Sequence, residues 1–317
     1  MSFTRRDFLA SSAAAAVASA FGRPALARAW QSQTPAATPA PPAAAVFTPI
    51  RRNVGCFTMR GGTIGYLIDP KTMVVVDSQY RDSAKVCLDG LRERAKTQPL
   101  EFLINTHHHA DHTDGNVAFK GIAKKVVAQT KAAVDMHNPP GQPAPTTEQL
   151  YPDTTFTDEW KATSGDERIR AKFYGRAHTS GDVVVTFERA NVAHMGDLTF
   201  NQRHAIVDRA AGATIRGWMT AVARAMKDHD KNTIYIFGHT GGPTLPVSGD
   251  QSVLVQFHDY LGAVLAFVQA QIKAGKSRDE ILAMRDPLKG FESFGRFPAP
   301  SARDPLTTAY EELTTAS

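Results

Sequence analysis

The chain has 317 residues, 42% of them hydrophobic and 21% charged, which suits one substantial domain or two modest ones. Its formal charge of +5 falls to +2 once residues 1–29 are set aside, because these hold Arg5, Arg6, Arg23 and Arg28 against Asp7. So slight a surplus argues against nucleic acid as a partner.

In chain order, the first element is a targeting segment, residues 1–29. "TRRDFLA" precedes the apolar, Ala-rich run "SSAAAAVASAF" and then small-residue cleavage sites at Ala25-Leu26-Ala27 and Ala27-Arg28-Ala29. It resembles a twin-arginine signal, with Arg5 and Arg6 adjacent and Phe8-Leu9 placed as that motif places them. The resemblance implies a bacterial protein exported already folded, by the twin-arginine machinery, to the periplasm or the medium. The run is too short and too rich in Ala for a good membrane span. No cysteine stands beside the cleavage sites to carry a lipid, so no stable membrane anchor is expected. Residues 30–46, rich in Pro, Ala and Thr, read as an extended, disordered linker.

From Phe47 to about residue 245 short β-branched runs alternate with helical patterns. Strands are expected at 63–69, 72–77, 100–105 and 124–129, with a helix over 80–96; a Pro-rich loop at 138–152 follows. The pattern then repeats, with strands at 168–175, 182–188, 191–196 and 233–238 and a helix over 214–230 before the last of them. Two mixed sheets packed together and covered by helices satisfy this order, an α+β arrangement. Residues 246–317 read as a helical extension packed on the same domain. Leu254, Phe257, Leu261, Leu265, Val268 and Ile272 recur at helical spacing, and a shorter helix is expected near 278–285. Of the two cysteines, Cys56 falls in a strand-like stretch and Cys87 in a helix-like one; export permits them to pair, and two buried thiols are the preferred reading.

The chemistry gathers where strands end. "VVVD" closes on Asp77, "NTHHHADHTDGN" delivers His107, His109, Asp111 and His112, and His178, Asp197 and His239 follow at later strand ends. Imidazole with carboxylate suits zinc and similar borderline divalent metals, whereas a hard-cation site leans on oxygen alone. Residues two apart in an extended segment point the same way, so His107 and His109 are expected to share one metal. Asp111 and His112 are then redirected toward a second as the chain turns into a helix starting near Asp114.

With Asp77, "HHHADH", His178, Asp197 and His239 in place, residues 50–245 resemble the metallo-β-lactamase-fold superfamily. The resemblance implies a four-layer αββα sandwich with two metals at one edge of the packed sheets, most readily Zn2+, with Fe or Mn as substitutes. Carried over position by position, His107, His109 and His178 bind the first metal, Asp111, His112 and His239 the second, and Asp197 bridges them. Asp77 supports the motif loop without being a ligand. Two such ions share a water, lower its pKa from 15.7 toward about 7 and make hydroxide the nucleophile. Asp111 orients that hydroxide and carries a proton. No nucleophilic serine in a G-x-S-x-G setting is present.

The expected activity is an exported, dinuclear hydrolase cleaving a small-molecule ester, lactone or thioester. The Asp at position 197 is similar to that of glyoxalase II, lactonase and phosphodiesterase relatives, whereas dinuclear β-lactamases typically place Cys or a non-ligand there. β-Lactam hydrolysis and a mono-iron sulfur dioxygenase stay as alternatives. Substrate choice is assigned to loops at 57–62, 138–166 and 200–213 and to the C-terminal helices. Among the remaining histidines, His108 should point away from the metals and His194 should face opposite Asp197. His204 is a solvated loop residue or a substrate contact. Trp218 should anchor its helix in the core.

Overall fold

The computed structural model describes residues 44–315, so the expected signal segment and most of the expected linker lie outside the described residues. The first sheet has seven strands, β1 (Val46–Arg51), β2 (Val54–Thr58), β3 (Ile64–Asp69), β4 (Thr72–Val76), β5 (Leu100–Asn105), β6 (Ala123–Gln129) and β7 (Thr154–Phe156). They lie side by side in that order, antiparallel up to β4 and parallel from β4 to β7. Between them run α1 (Arg81–Ala95), the single turn α2 (Ala110–Thr113) and α3 (Thr130–His137).

The second sheet is built from β8 (Glu159–Ser164), β9 (Glu167–Phe173), β10 (Val183–Phe187), β11 (Val192–His194), β13 (Ile234–Ile236) and β15 (Ser248–Gly249). Its spatial order is β15-β13-β11-β10-β9-β8, and only β11 and β13 run parallel. A small parallel pair, β12 (Phe200–Asn201) and β14 (His239–Thr240), sits apart. The helices α4 (Ile215–Asp228), α5 (Gln251–Lys273), α6 (Arg278–Leu282) and α7 (Pro305–Thr314) complete the chain.

Strand alternation sorts the cores into layers. Val74 and Val76 of β4 meet Val183, Val185 and Phe187 of β10 between the sheets, while Met73 and Val75 face the other way onto Leu88 and Leu91 of α1. On the far side, Val184 and Tyr235 pack against Trp218 of α4 and against Leu254, Phe257, Leu261, Val264 and Val268 of α5. The result is the expected α+β, four-layer αββα sandwich. Although α5 is long and apolar enough to cross a membrane, its stripe is buried in this core. Trp218 is fully buried, and its indole N–H donates to the Leu198 carbonyl at 2.9 Å. Cys56 lies between the sheets and Cys87 in the α1 layer, both as free, buried thiols; burial pushes the Cys56 thiol up to about 12.

Two sequence expectations are corrected. The helical turn after the motif starts at Ala110, not near Asp114, and Asp114–Phe119 continues it as a 3-10 segment. His109 is the extended residue before the turn, so coiling begins as soon as its own ring is placed. The segment 138–166 is not all loop, because β7 and β8 occupy its second half. Trp160 and Ala162 of β8 alternate against β9, with Phe102 packed edge-on to Trp160 at 5.0 Å between centroids.

Candidate metal centre

The site forms at one edge of the sandwich, where β4, β5, β11 and β13 end and hand over to loops. The backbone there is held by Asp77, which takes the left-handed region at φ 63°. Its Oδ1 accepts from the Thr106 backbone N–H at 2.8 Å and its Oδ2 from the Thr106 hydroxyl at 2.7 Å and His112 Nδ1 at 2.8 Å. One buried carboxylate therefore fixes the start of the motif and its last histidine together.

Three ring nitrogens converge beside it. His109 Nδ1 lies 3.1 Å from His107 Nε2 and 2.8 Å from His178 Nε2, and Asp197 Oδ2 lies 3.3 Å from His178 Nε2 and 3.8 Å from His107 Nε2. Each ring's outer nitrogen has an acceptor. His107 Nδ1 donates to Thr106 Oγ1 at 3.1 Å, His109 Nε2 to Asp208 Oδ2 at 2.9 Å, and His178 Nδ1 to the Ile206 carbonyl at 2.6 Å. With the outer nitrogens donating, three inner lone pairs face one another, an arrangement that is repulsive without a shared cation. A tetrahedral zinc with bonds of about 2.0–2.1 Å sets ligand atoms ~3.3 Å apart, close to these spacings.

The second group gathers His112, His239 and Asp111. Nε2 of His112 and Nε2 of His239 stand 3.3 Å apart, and Asp111 Oδ2 is 3.1 Å from His239 Nε2. Asp197 Oδ1 lies 3.0 Å from His112 Nε2 and 3.5 Å from His239 Nε2, so the two oxygens of Asp197 address different groups. That Oδ1 is buried and has no hydrogen-bond partner. Burial opposes charge on Asp197, yet the His112 and His239 rings hold its carboxyl well below the usual carboxylate range. Burial keeps His107 well below the ordinary imidazole value and pushes His178 down to about 3, the neutral state that metal ligation requires. Glycines make the room: a Cβ on Gly62 would come within 2.1 Å of the His112 ring, and one on Gly238 within 2.1 Å of Asp197 Oδ1. Donor types, tautomers and this cradle all fit divalent metal.

All seven residues named as ligands from the sequence thus come together, with Asp77 behind them. His194 faces elsewhere, its Nε2 donating to the Thr63 carbonyl at 2.9 Å. His204 is half-buried and its ring is not free. Its ring bonds the Tyr260 hydroxyl at 2.8 Å and the Arg296 carbonyl at 3.1 Å, so it tethers its loop to the C-terminal segment. Sequence reasoning missed Asp208, fully buried against His109, and Arg303, whose Nη2 lies 2.9 Å from Asp208 Oδ2. An Asp three residues before Ala211 N–H looks like a turn cap, which it also is, and nothing local marks its second partner.

Paired sheets carrying a His/Asp cluster at their strand ends define a class of metal-binding proteins. Residues 58–239, more than half of the chain, match the metallo-beta-lactamase superfamily, to which this protein belongs. A hydroxyacylglutathione hydrolase of Brucella anthropi is 29% identical over 151 residues, 47% of this chain and 52% of that protein, so the match spans about half the relative's length. Among solved structures, a metallo-beta-lactamase from Pontibacter korlensis shares the fold at a TM-score of 0.56 and 22% identity, over 69% of this chain and 99% of that one. A double mutant of the sec-alkyl sulfatase PisA1 does so at 0.65 and 13%, over 85% and 50%.

Proposed function

We propose that this protein is a dinuclear, metal-dependent hydrolase that cleaves a small-molecule ester, lactone or thioester after export to the periplasm or medium. The observation that carries the reading is Asp197, whose two oxygens reach separate groups of ligand atoms. His107, His109 and His178 would hold one ion and Asp111, His112 and His239 the other, zinc being favoured by the His/Asp donors, with iron or manganese as substitutes. Ions bound there would supply an acidified water and charge stabilisation for the oxyanion of the cleaved carbonyl.

The chain's own residues do the rest. Asp77, Asp208 and the Ile206 carbonyl fix the ring planes so that lone pairs point inward. Asp111 is the most exposed of the seven, its side chain 27% accessible, which places Oδ2 to take a proton from an incoming water and return it to the leaving group. The hydroxyacylglutathione hydrolase relative supports the thioester branch. Residues 1–29 support export, since they resemble a twin-arginine signal.

Elemental mass spectrometry of the purified protein, beside a panel of lactones, thioesters, phosphodiesters and β-lactams, tests the reading. About two divalent ions per chain and metal-dependent turnover are expected. Asp111→Ala or His239→Ala should lose roughly one ion and at least ~100-fold in turnover while the fold persists. One iron per chain with oxygen uptake and no hydrolysis overturns it.

A further inference from the structure

The loop that leaves β12 and the C-terminal segment before α7 face each other across a recess of about 390 Å³. That volume lies in the range of small-molecule sites. Its far wall, Phe294, Pro298 and Ser301, lies outside the residues matched to the superfamily. The near wall begins at Gln202, whose backbone takes the left-handed region at φ 52° as the strand ends. Gly241 lets the turn come close: its N–H donates to the Asn201 carbonyl at 2.8 Å, and a Cβ there would meet the Gln202 carbonyl oxygen at 1.9 Å. Arg203, the next residue, is thereby held on the recess wall. Its guanidinium carbon stands 5.8 Å from the centroid of the Phe200 ring, which packs edge-on against His239 at 5.6 Å and His178 at 5.9 Å. One aromatic ring thus separates Arg203 from a ligand of each metal group.

Arg203 is half-buried, yet among the described residues its guanidinium has no ion-pair or hydrogen-bond partner, and none of its nitrogens is sealed from the recess. The side-chain amide of Gln202 is in the same position. The other charged or titratable groups of the wall are committed. His204 bonds Tyr260 and the Arg296 carbonyl, and Arg303 pairs with Asp208 at 2.9 Å. Asp304 is buried and turned into the start of α7, accepting from the backbone N–H groups of Leu306, Thr307 and Ser301. One uncommitted charge therefore faces the recess, and it is positive. Ala205, Ile206, Phe294 and Pro298 supply apolar surface around it.

We propose that this recess holds a carboxylate-bearing arm of the substrate, with Arg203 paired to the carboxylate and a short apolar body lying against Phe294 and Pro298. The planar N–H fork of a guanidinium matches a carboxylate in both geometry and charge. A phosphate dianion would bring a second charge with no second cation free to meet it, since Arg303 is held by Asp208. Resting on the hydrolase reading, the inference makes the preferred ester, lactone or thioester a monoanion whose charge sits away from the scissile bond. Arg203 is then a specificity-determining residue, and the C-terminal segment supplies the other half of its subsite.

The test is binding, read without turnover, on the metal-loaded full chain labelled with 15N-arginine. 3-Phenylpropionate at millimolar concentration should move the Arg203 Nε–H signal, identified by its loss in Arg203→Gln. Its affinity by calorimetry should fall about tenfold or more in that variant, with bound metal unchanged. 3-Phenylpropionamide, the same body without the charge, should bind about tenfold more weakly or worse and leave the Arg203 signal in place. Pro298→Trp, which fills the recess from the far wall and keeps Arg203, should abolish the shift and serves if Arg203→Gln does not fold. An Arg203 signal unmoved by 3-phenylpropionate, an equal shift with the amide, or an affinity unchanged in the folded variants, as for a carboxylate seated on the metals alone, would each overturn the proposal. A negative hydrolysis panel leaves the binding result standing, so failure of the activity and failure of the recess are told apart.

Discussion

Asp77 shows how one residue sets a site it does not enter. Its left-handed backbone is disfavoured for most side chains but tolerated by Asp and Asn, and its two oxygens serve three donors. Asp77→Asn keeps the backbone and one acceptor for Thr106, but sets an NH2 or a weaker acceptor against His112 Nδ1. We expect its divalent-metal affinity, by competition with a chromogenic chelator, to fall about 10–100-fold. Asp77→Ala should lose as much affinity and also several degrees of Tm, because the left-handed strain is then unrelieved. An unchanged affinity in Asp77→Asn would remove Asp77 from the support of His112. The ligands themselves were legible in the sequence because alternation along an extended segment places His107 and His109 on one side. Asp208 was not, since its partner His109 lies 99 residues away and its local surroundings read as an ordinary turn.

At the scale of elements, the strands that carry ligands matched their hydrophobic runs closely, β5 to the residue, because buried parallel strands leave little but Val, Ile and Leu to read. Elements whose stability comes from elsewhere were missed. β8 holds Glu, Lys and Thr on its outer face, and α7 opens on Asp304-Pro305 with a Thr-rich first half buried by α4 and α5. The sequence assigns part of substrate choice to the loop 200–213. In the structure it is strapped to the C-terminal segment by His204, by the Val207 N–H on the Arg303 carbonyl at 2.9 Å, and by Arg303 on Asp208. Arg303 is therefore a positioning residue, acting on the metal group through Asp208 and His109. Arg303→Ala should weaken metal binding about tenfold or more, and Arg303→Lys should restore part of it. Equal metal affinity in all three proteins would reduce Arg303 to a surface contact.

Across the whole molecule, buried histidines make stability depend on pH. Burial pushes His108 and His178 down to about 3 and lowers His107, His194, His204 and His229. Each lowered group contributes stability that is fully present above its unfolded value of 6.5 and lost as pH falls toward its folded value. Two groups run the other way. Burial opposes charge on His112, but Asp197, Asp77 and Asp111 raise its pKa, and burial pushes Asp182 up to about 6. Their contributions are present at low pH and fade as pH rises through those raised values. The six outweigh the two, so the Tm of the metal-free protein should drop by several degrees between about pH 7 and pH 5. A flat profile by differential scanning calorimetry would contradict that balance. The layered sandwich was legible because alternation sorts each strand's faces; the strap was not, because it is written in contacts between distant segments. It also has a temporal meaning. The superfamily match ends at His239, but a chain synthesised from its N-terminus emits Arg303 long after the last ligand. The nascent polypeptide thus carries every candidate ligand before it carries Arg303, and the Arg303–Asp208 contact behind His109 forms only when the C-terminal segment folds back.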